Sequence, residues 1–361
     1  MSSCGEARGN DNVPGFITAR AIGPVPSEID SEFIIGGIIE RGKRTLFHAN
    51  EGTGKTTLAM MFAGQLATPD ELLRQKFIDK SRPGRTLFIA TERFGPVKRR
   101  MWAYLLKHKP EAVEHFLENV DFVYASQFER ETGVPFRLDS TAWRDRFLVG
   151  LRRMVEDAGS PYDLIINDGL AMSLFGAVDS AEVAIAANVN IERIMEETRV
   201  GWLDLHHNNK AGVFHGSKFH SNLPGYRFEI LGASNESTHL VVCRKSDSAE
   251  YGPCFSYKIE SVFLNGENPP GFAAVSKFKA ITHDDVKNAQ RNDQIEKIKQ
   301  YVADNGGKIS RQEFKKFAVE ELGYSESSSA GLLGKTKLKP QIEAAGIKVN
   351  RVGLSFDATT T

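Results

Sequence analysis

Cysteine is scarce: the 361 residues contain three, Cys4, Cys243 and Cys254. Their spacing matches no zinc-ligand pattern. Cys243 and Cys254 could pair in principle, but free thiols in a reducing compartment are the expectation. An excess of either charge is also lacking, since Lys+Arg and Asp+Glu each total 46. That balance removes any global attraction for nucleic acid, so such a surface must be local. No apolar run approaches the roughly 20 residues needed to span a bilayer. The opening "MSSCGEARGNDNVPG" lacks the apolar core of a signal peptide, so a soluble, cytoplasmic protein with no membrane partner is expected. There is no internal repeat. What is present is an ordinary globular composition, long enough for one large domain and a small second one.

Residues 1–20 read as a flexible tail. From 21 to 281, short apolar runs alternate with helical patterns, the signature of a parallel α/β sheet. The runs "TLFHA" (45–49), "TLFIA" (86–90), "VDFVYA" (120–125), "DLIIND" (163–168) and "GWLDLH" (201–206) read as buried strands. Helices are expected between them at 56–67, 96–107 and 181–198. After residue 225, "YRFEILGAS", "THLVVCRKS" and "CFSYKIESV" follow closely, as in an antiparallel extension of the sheet. Residues 282–290 read as a linker. In 291–361, Ile295, Ile298 and Val302 have helical spacing, and "DNGG" stops that helix. Two further helical patterns and "GIKVNRVGLSF" complete a segment resembling a winged helix-turn-helix.

The chemistry begins at "TLFHANEGTGKTT" (45–57), a strand, a glycine loop and a helix in the order a phosphate cradle requires. Asn50, Glu51, Gly52, Thr53, Gly54, Lys55, Thr56 and Thr57 form the expected nucleotide-binding loop. Lys55 would reach the β/γ-phosphates, and the Thr56 hydroxyl would ligate Mg²⁺. The first glycine of this loop type is replaced by Ala49, where the strand ends and a small side chain fits. "YDLIINDG" places Asp168 at the end of a buried strand, where its carboxylate can hold the magnesium shell. Glu92, directly after "TLFIAT", is either the carboxylate that orients the attacking water or a solvated residue opening a loop. In "LDLHHNNKAG", adjacent histidines on a strand point to opposite faces. A zinc pair is therefore disfavoured, and one of the two is expected to sense the γ-phosphate.

In order and spacing these elements resemble the RecA-like ATPases, most closely the plasmid RepA-type hexameric replicative helicases. The resemblance covers about residues 30–265 and includes "FIIGGIIERGKRTLFHANEGTGKTT", "LFIATERFGPVKRRM", "YDLIINDGLAMSLFG", "LDLHHNNK" and "GSKF". It implies a RecA-like core that binds ATP and Mg²⁺. Glu92 would be the catalytic base, Asp168 the Walker B acid, and His207, preceded by His206, the sensor. It further implies DNA-facing loops at 169–180 and 208–221. The second holds Lys210, His215, Lys218 and His220, a basic set for a phosphate backbone or simply a solvated loop. The finger reaching a neighbouring subunit's site is left among Arg244, Lys245 and Arg227, because Asp247 stands where the family has an arginine.

The expectation is therefore an ATPase that moves on single-stranded DNA as a ring; the resemblance implies a homo-hexamer of a phage or plasmid in a bacterial or phage-infected cell. A recombination or loading factor without unwinding activity is the first alternative. The second is a nucleotide-controlled regulator acting through the basic C-terminal segment, whose partner would be duplex DNA or a replication protein.

Overall fold

A computed structural model describes residues 33–67, 84–91, 94–107, 110–175, 178–209, 214–232, 238–247, 252–322, 324–329, 331–333, 338–349 and 353–356. The expected tail, Cys4, Glu92 and Lys210 lie outside the described residues. The described residues all belong to one compact unit, Phe33–Thr361.

The strands are β1 (Phe33–Ile35), β2 (Ile39–Glu40), β3 (Arg44–Ala49), β4 (Thr86–Ala90), β5 (Val120–Tyr124), β6 (Leu164–Asp168), β7 (Gly201–His207), β8 (Tyr226–Leu231), β9 (Thr238–Ser246), β10 (Gly252–Ser261) and β11 (Ala273–Ala280). Nine of them form one sheet in the order β11-β10-β9-β8-β3-β7-β6-β4-β5. The helices around it are α1 (Lys55–Ala67), α2 (Phe94–Lys107), α3 (Pro110–Asn119), α4 (Ala125–Thr132), α5 (Thr141–Ala158), α6 (Ala181–Thr198) and the short α7 (Lys218–Asn222). Serines begin the two longest: Ser140 accepts from the Trp143 amide and Ser180 from that of Val183.

Alternation of side chains along each strand divides the core in two. Phe47, Phe88, Ile166, Leu203 and Phe228 face α1 and its neighbours. Leu46, Leu87, Ile89, Ile165 and Trp202 face the other layer, with Trp143 and Ile191. Burial of each such side chain stabilises the fold by about 1.5–3 kcal/mol. This two-sided burial explains why the parallel strands read as continuous apolar runs.

One strand differs from expectation. β8 ("YRFEIL") is parallel to β3, and the antiparallel part begins only at β9. The chain returns through the segment containing α7 before β8 begins, so β8 enters the sheet in the direction of β3. Cys243 is buried and Cys254 half-buried, and both are free thiols. No helix among the described residues is long and apolar enough to cross a membrane.

The supposed linker is also different. Residues 283–290 are the first half of α8 (His283–Asp304), started by a capping box in which Thr282 and Asp285 satisfy each other's backbone amides. Gly306 and Gly307, at φ 74° and 81°, follow its end as the "DNGG" stop anticipated. The C-terminal segment continues with α9 (Arg311–Glu320), α10 (Glu326–Ser329), α11 (Lys339–Ala344) and β12 (Lys308–Ser310), β13 (Ile347–Val349) and β14 (Gly353–Phe356). The strands pair antiparallel in the order β12-β14-β13. Ile298, Val302, Phe314, Ile342 and Leu354 form a core of their own here.

Candidate functional site

β3 ends at Ala49, whose methyl is fully buried, so the position usually held by glycine is part of the core. Gly52 and Gly54 adopt φ 79° and 77°, left-handed values that cost a side chain about 1–2 kcal/mol. Between them Thr53 is fully buried, and its hydroxyl donates to the Asn50 carbonyl at 3.0 Å. The Leu58 amide donates to the Gly54 carbonyl at 2.9 Å as α1 gets under way. The loop thus presents backbone amides and a helix N-terminus to one space, the arrangement suited to phosphates.

That space is a cavity of about 680 Å³, within the usual range for ligand pockets. Gly52, Gly54, Lys55, Thr56, Asp168 and His207 line it. The ends of β3, β6 and β7 therefore meet at one cavity. The Lys55 ammonium donates to the carbonyls of Ala49 and Asn50, at 3.1 and 2.9 Å, and to Nδ1 of His207 at 3.1 Å. An ammonium has only donors, so His207 accepts through Nδ1 and carries its proton elsewhere. Thr56 and Asp168 are the oxygen donors that would hold a magnesium ion, and the cavity they share fits that hard-cation chemistry.

Two further residues belong to the site and escaped the sequence reading. Thr91 joins the ends of β4 and β6. Its amide donates to the Asp168 carbonyl at 2.9 Å, and its hydroxyl accepts from the Gly169 amide at 2.7 Å. Arg100 lines the cavity from α2 together with Pro96 and Val97, positions i, i+1 and i+4 of one helix face. Burial lowers the Arg100 guanidinium from its ordinary pKa, while the charge of Asp168 acts in the opposite direction. The helical phase of "PVKRR" was the available signal for it.

Beneath β7 lies a buried polar network. Arg44 donates through Nε to Asp204 at 2.7 Å and through Nη1 to Asn188 at 3.0 Å. Asp204 also accepts from Asn167 Nδ2 at 2.8 Å and the Trp202 indole at 3.0 Å. A second chain of contacts runs from the loop outward. Asn208 donates to the Asn50 side chain at 3.2 Å and accepts from His48 Nδ1 at 2.9 Å. His206, facing away from His207, donates through Nε2 to the His215 carbonyl. Burial pushes the His206 imidazole down to about 4, so it is neutral near pH 7.

The remaining expected residues are more scattered. Lys218 is exposed at the start of α7, but His220 is fully buried and burial lowers it to about 4. His220 therefore leaves the proposed basic set, because α7 turns Lys218 and Phe219 outward and His220 and Ser221 inward. Of the finger candidates, Arg244 is paired with Glu229 at 2.6 Å. Lys245 donates to the Asn222 carbonyl at 2.6 Å and lies 3.8 Å from Asp247. Arg227 stands opposite Leu46 on β3 and Lys245 on β9, three residues back from Ala49. At about 3.3 Å per residue, that is some 10 Å from its own phosphate loop.

The profile of a family described as an AAA domain matches residues 27–213, just over half of the 361-residue chain. No curated protein matches. Among solved structures, a KaiC-like protein from the hyperthermophilic archaeon Pyrococcus horikoshii OT3 is similar at 17% identity. That similarity covers 70% of this chain and 100% of that one, with a TM-score of 0.40.

Proposed function

Because the chain belongs to the AAA domain family, we propose that its core is a P-loop ATPase of RecA type and that it is an ATP-driven motor on single-stranded DNA. In this reading it is a replicative helicase of the plasmid RepA type, assembled as a six-membered ring, with nucleotide bound between subunits. The observation that carries the proposal is the contact between Lys55 and His207. It joins the phosphate-holding residue to the strand from which the segment 208–221 emerges.

Gly52, Gly54 and Lys55 hold the phosphates. Thr56 and Asp168 would hold a magnesium ion, whose positive charge would offset that of the phosphate oxygens. Glu92, one residue beyond the Thr91 latch, serves as the base that takes a proton from the attacking water. Arg100, which lines the same cavity as Asp168, adds a positive charge there. When Lys55 turns to the phosphates it releases His207, and the release is passed to residues 208–221. There Lys218 and Lys210 track the sugar–phosphate backbone. A neighbouring subunit supplies Arg227, Arg244 or Lys245 to complete the site, Arg244 only after parting from Glu229. The C-terminal segment, which begins with α8, acts as a winged-helix domain that holds duplex DNA or a replication protein.

The test is strand displacement on a forked duplex with ATP, alongside sizing with a non-hydrolysable analogue with and without single-stranded DNA. The motor reading expects a DNA-stimulated ring that unwinds. Hydrolysis and DNA binding without unwinding would replace it with the loading-factor reading.

A further inference from the structure

β10 runs past the phosphate loop with Tyr257 and Ile259, two residues of one face, turned toward it. Tyr257 is fully buried, and its hydroxyl donates to the carbonyl oxygen of Thr53 at 2.8 Å. Cδ1 of Ile259 lies 2.1 Å from where a Cβ on Gly54 would stand. The Thr53–Gly54 peptide is thus gripped from β10 by one hydrogen bond and one apolar contact.

A trans peptide is planar, with its C=O and N–H pointing in opposite directions. Fixing the Thr53 oxygen on a buried hydroxyl therefore turns the Gly54 amide away from the core, toward the open side of the loop. Nothing within a Gly-x-Gly loop enforces that choice, because glycine enters either sign of φ with little penalty. Thr53 is anchored twice against such freedom: its side chain on Asn50 and its carbonyl on Tyr257. Burial also raises the pKa of the Tyr257 hydroxyl, so it keeps its proton and stays a donor.

We propose that Tyr257 is a positioning residue that sets nucleotide affinity by holding the Gly54 amide toward the β-phosphate of a bound nucleoside di- or triphosphate. This rests on the reading of residues 50–57 as a nucleotide site and is independent of DNA. Tyr257→Phe keeps the ring and removes the donor. Without it the peptide can rotate, and the amide is no longer prepaid in its binding orientation.

The measurement is calorimetric titration of wild type and Tyr257→Phe with ADP and with AMP, together with a thermal melt of each. The expected result is an ADP Kd about tenfold higher, equivalent to about 1.4 kcal/mol, with AMP binding unchanged because AMP has no β-phosphate. An ADP Kd within twofold of wild type would overturn the proposal, with or without a lowered Tm, as would equal losses for AMP and ADP. Wild type that fails to bind ADP at all would remove the nucleotide-site reading and this inference with it. Should the variant not fold, amide exchange in the unaltered protein decides: the Gly54 amide should exchange freely without nucleotide and become protected by ADP. Protection already present without ADP would overturn the orientation argued here.

Discussion

Nζ of Lys55 lies 3.1 Å from Nδ1 of His207, so the first residue of α1 and the last of β7 touch across the end of the sheet. Neither is near the other in sequence; β3 and β7 pair in parallel and bring Ala49 opposite His207. In the proposed function one lysine would serve both as phosphate ligand and as the restraint on this histidine. Lys55→Ala should abolish ATP turnover, with a loss of at least about 100-fold in kcat/KM, or about 2.7 kcal/mol. His207→Ala should leave a protein whose turnover is the same with and without single-stranded DNA. A phosphate-release assay across a DNA titration checks both.

Gly54→Ala tests the loop at its tightest point. The new methyl would meet Ile259 Cδ1 and would sit at φ 77°, so two separate penalties apply. Nucleotide affinity should fall by at least about tenfold. Adding Ile259→Ala should recover only part of it, since the backbone strain of about 1–2 kcal/mol remains. Titration with ADP gives the comparison.

The pair formed by Arg44 and Asp204 is almost wholly out of water, at 2% and 0% side-chain exposure. Removing one partner leaves a buried charge, and Asp204→Leu should cost about 3–5 kcal/mol. Arg44→Met with Asp204→Leu should cost less than the two single changes added together, because neither charge is then stranded. Urea unfolding of the four proteins provides the cycle.

Acid should destabilise the fold well above the carboxylate range. Burial lowers His206, His220 and His239 to about 4, against 6.5 for an exposed histidine. Above pH 6.5 both states are neutral at these positions and nothing is lost. As pH falls from 6.5 toward 4 the unfolded chain takes up protons that the folded one refuses, so stability declines. Each histidine contributes up to about 1.4 kcal/mol per pH unit. Unfolding midpoints at pH 7.5 and 5.5 should differ, and His220→Leu should reduce the difference.

The phosphate loop, the parallel strands and the long helices were legible because each depends on local pattern. Glycines at two fixed positions, apolar runs of strand length and 3.6-residue spacing all act within a few turns of chain. Tyr257 was not, since it reaches the site through tertiary packing, 204 residues from the carbonyl it holds; for Arg100 the helical phase was readable, but not the cavity that its helix face lines. The same limit explains β8, whose pairing with β3 cannot be read from its own residues, and His220, whose burial depends on what α7 covers. Charge counting placed that histidine on a basic surface, while desolvation makes it a neutral part of the core.

The capped helix α8 has a consequence for how force would leave the ATPase. It touches β8, β9 and β10 along one part of its length and β12 and β14 along another. Its 22 residues span about 33 Å at 1.5 Å per residue. The C-terminal segment thus joins the core through a stiff spoke rather than a slack tether, and in the proposed motor anything bound there would turn with the core.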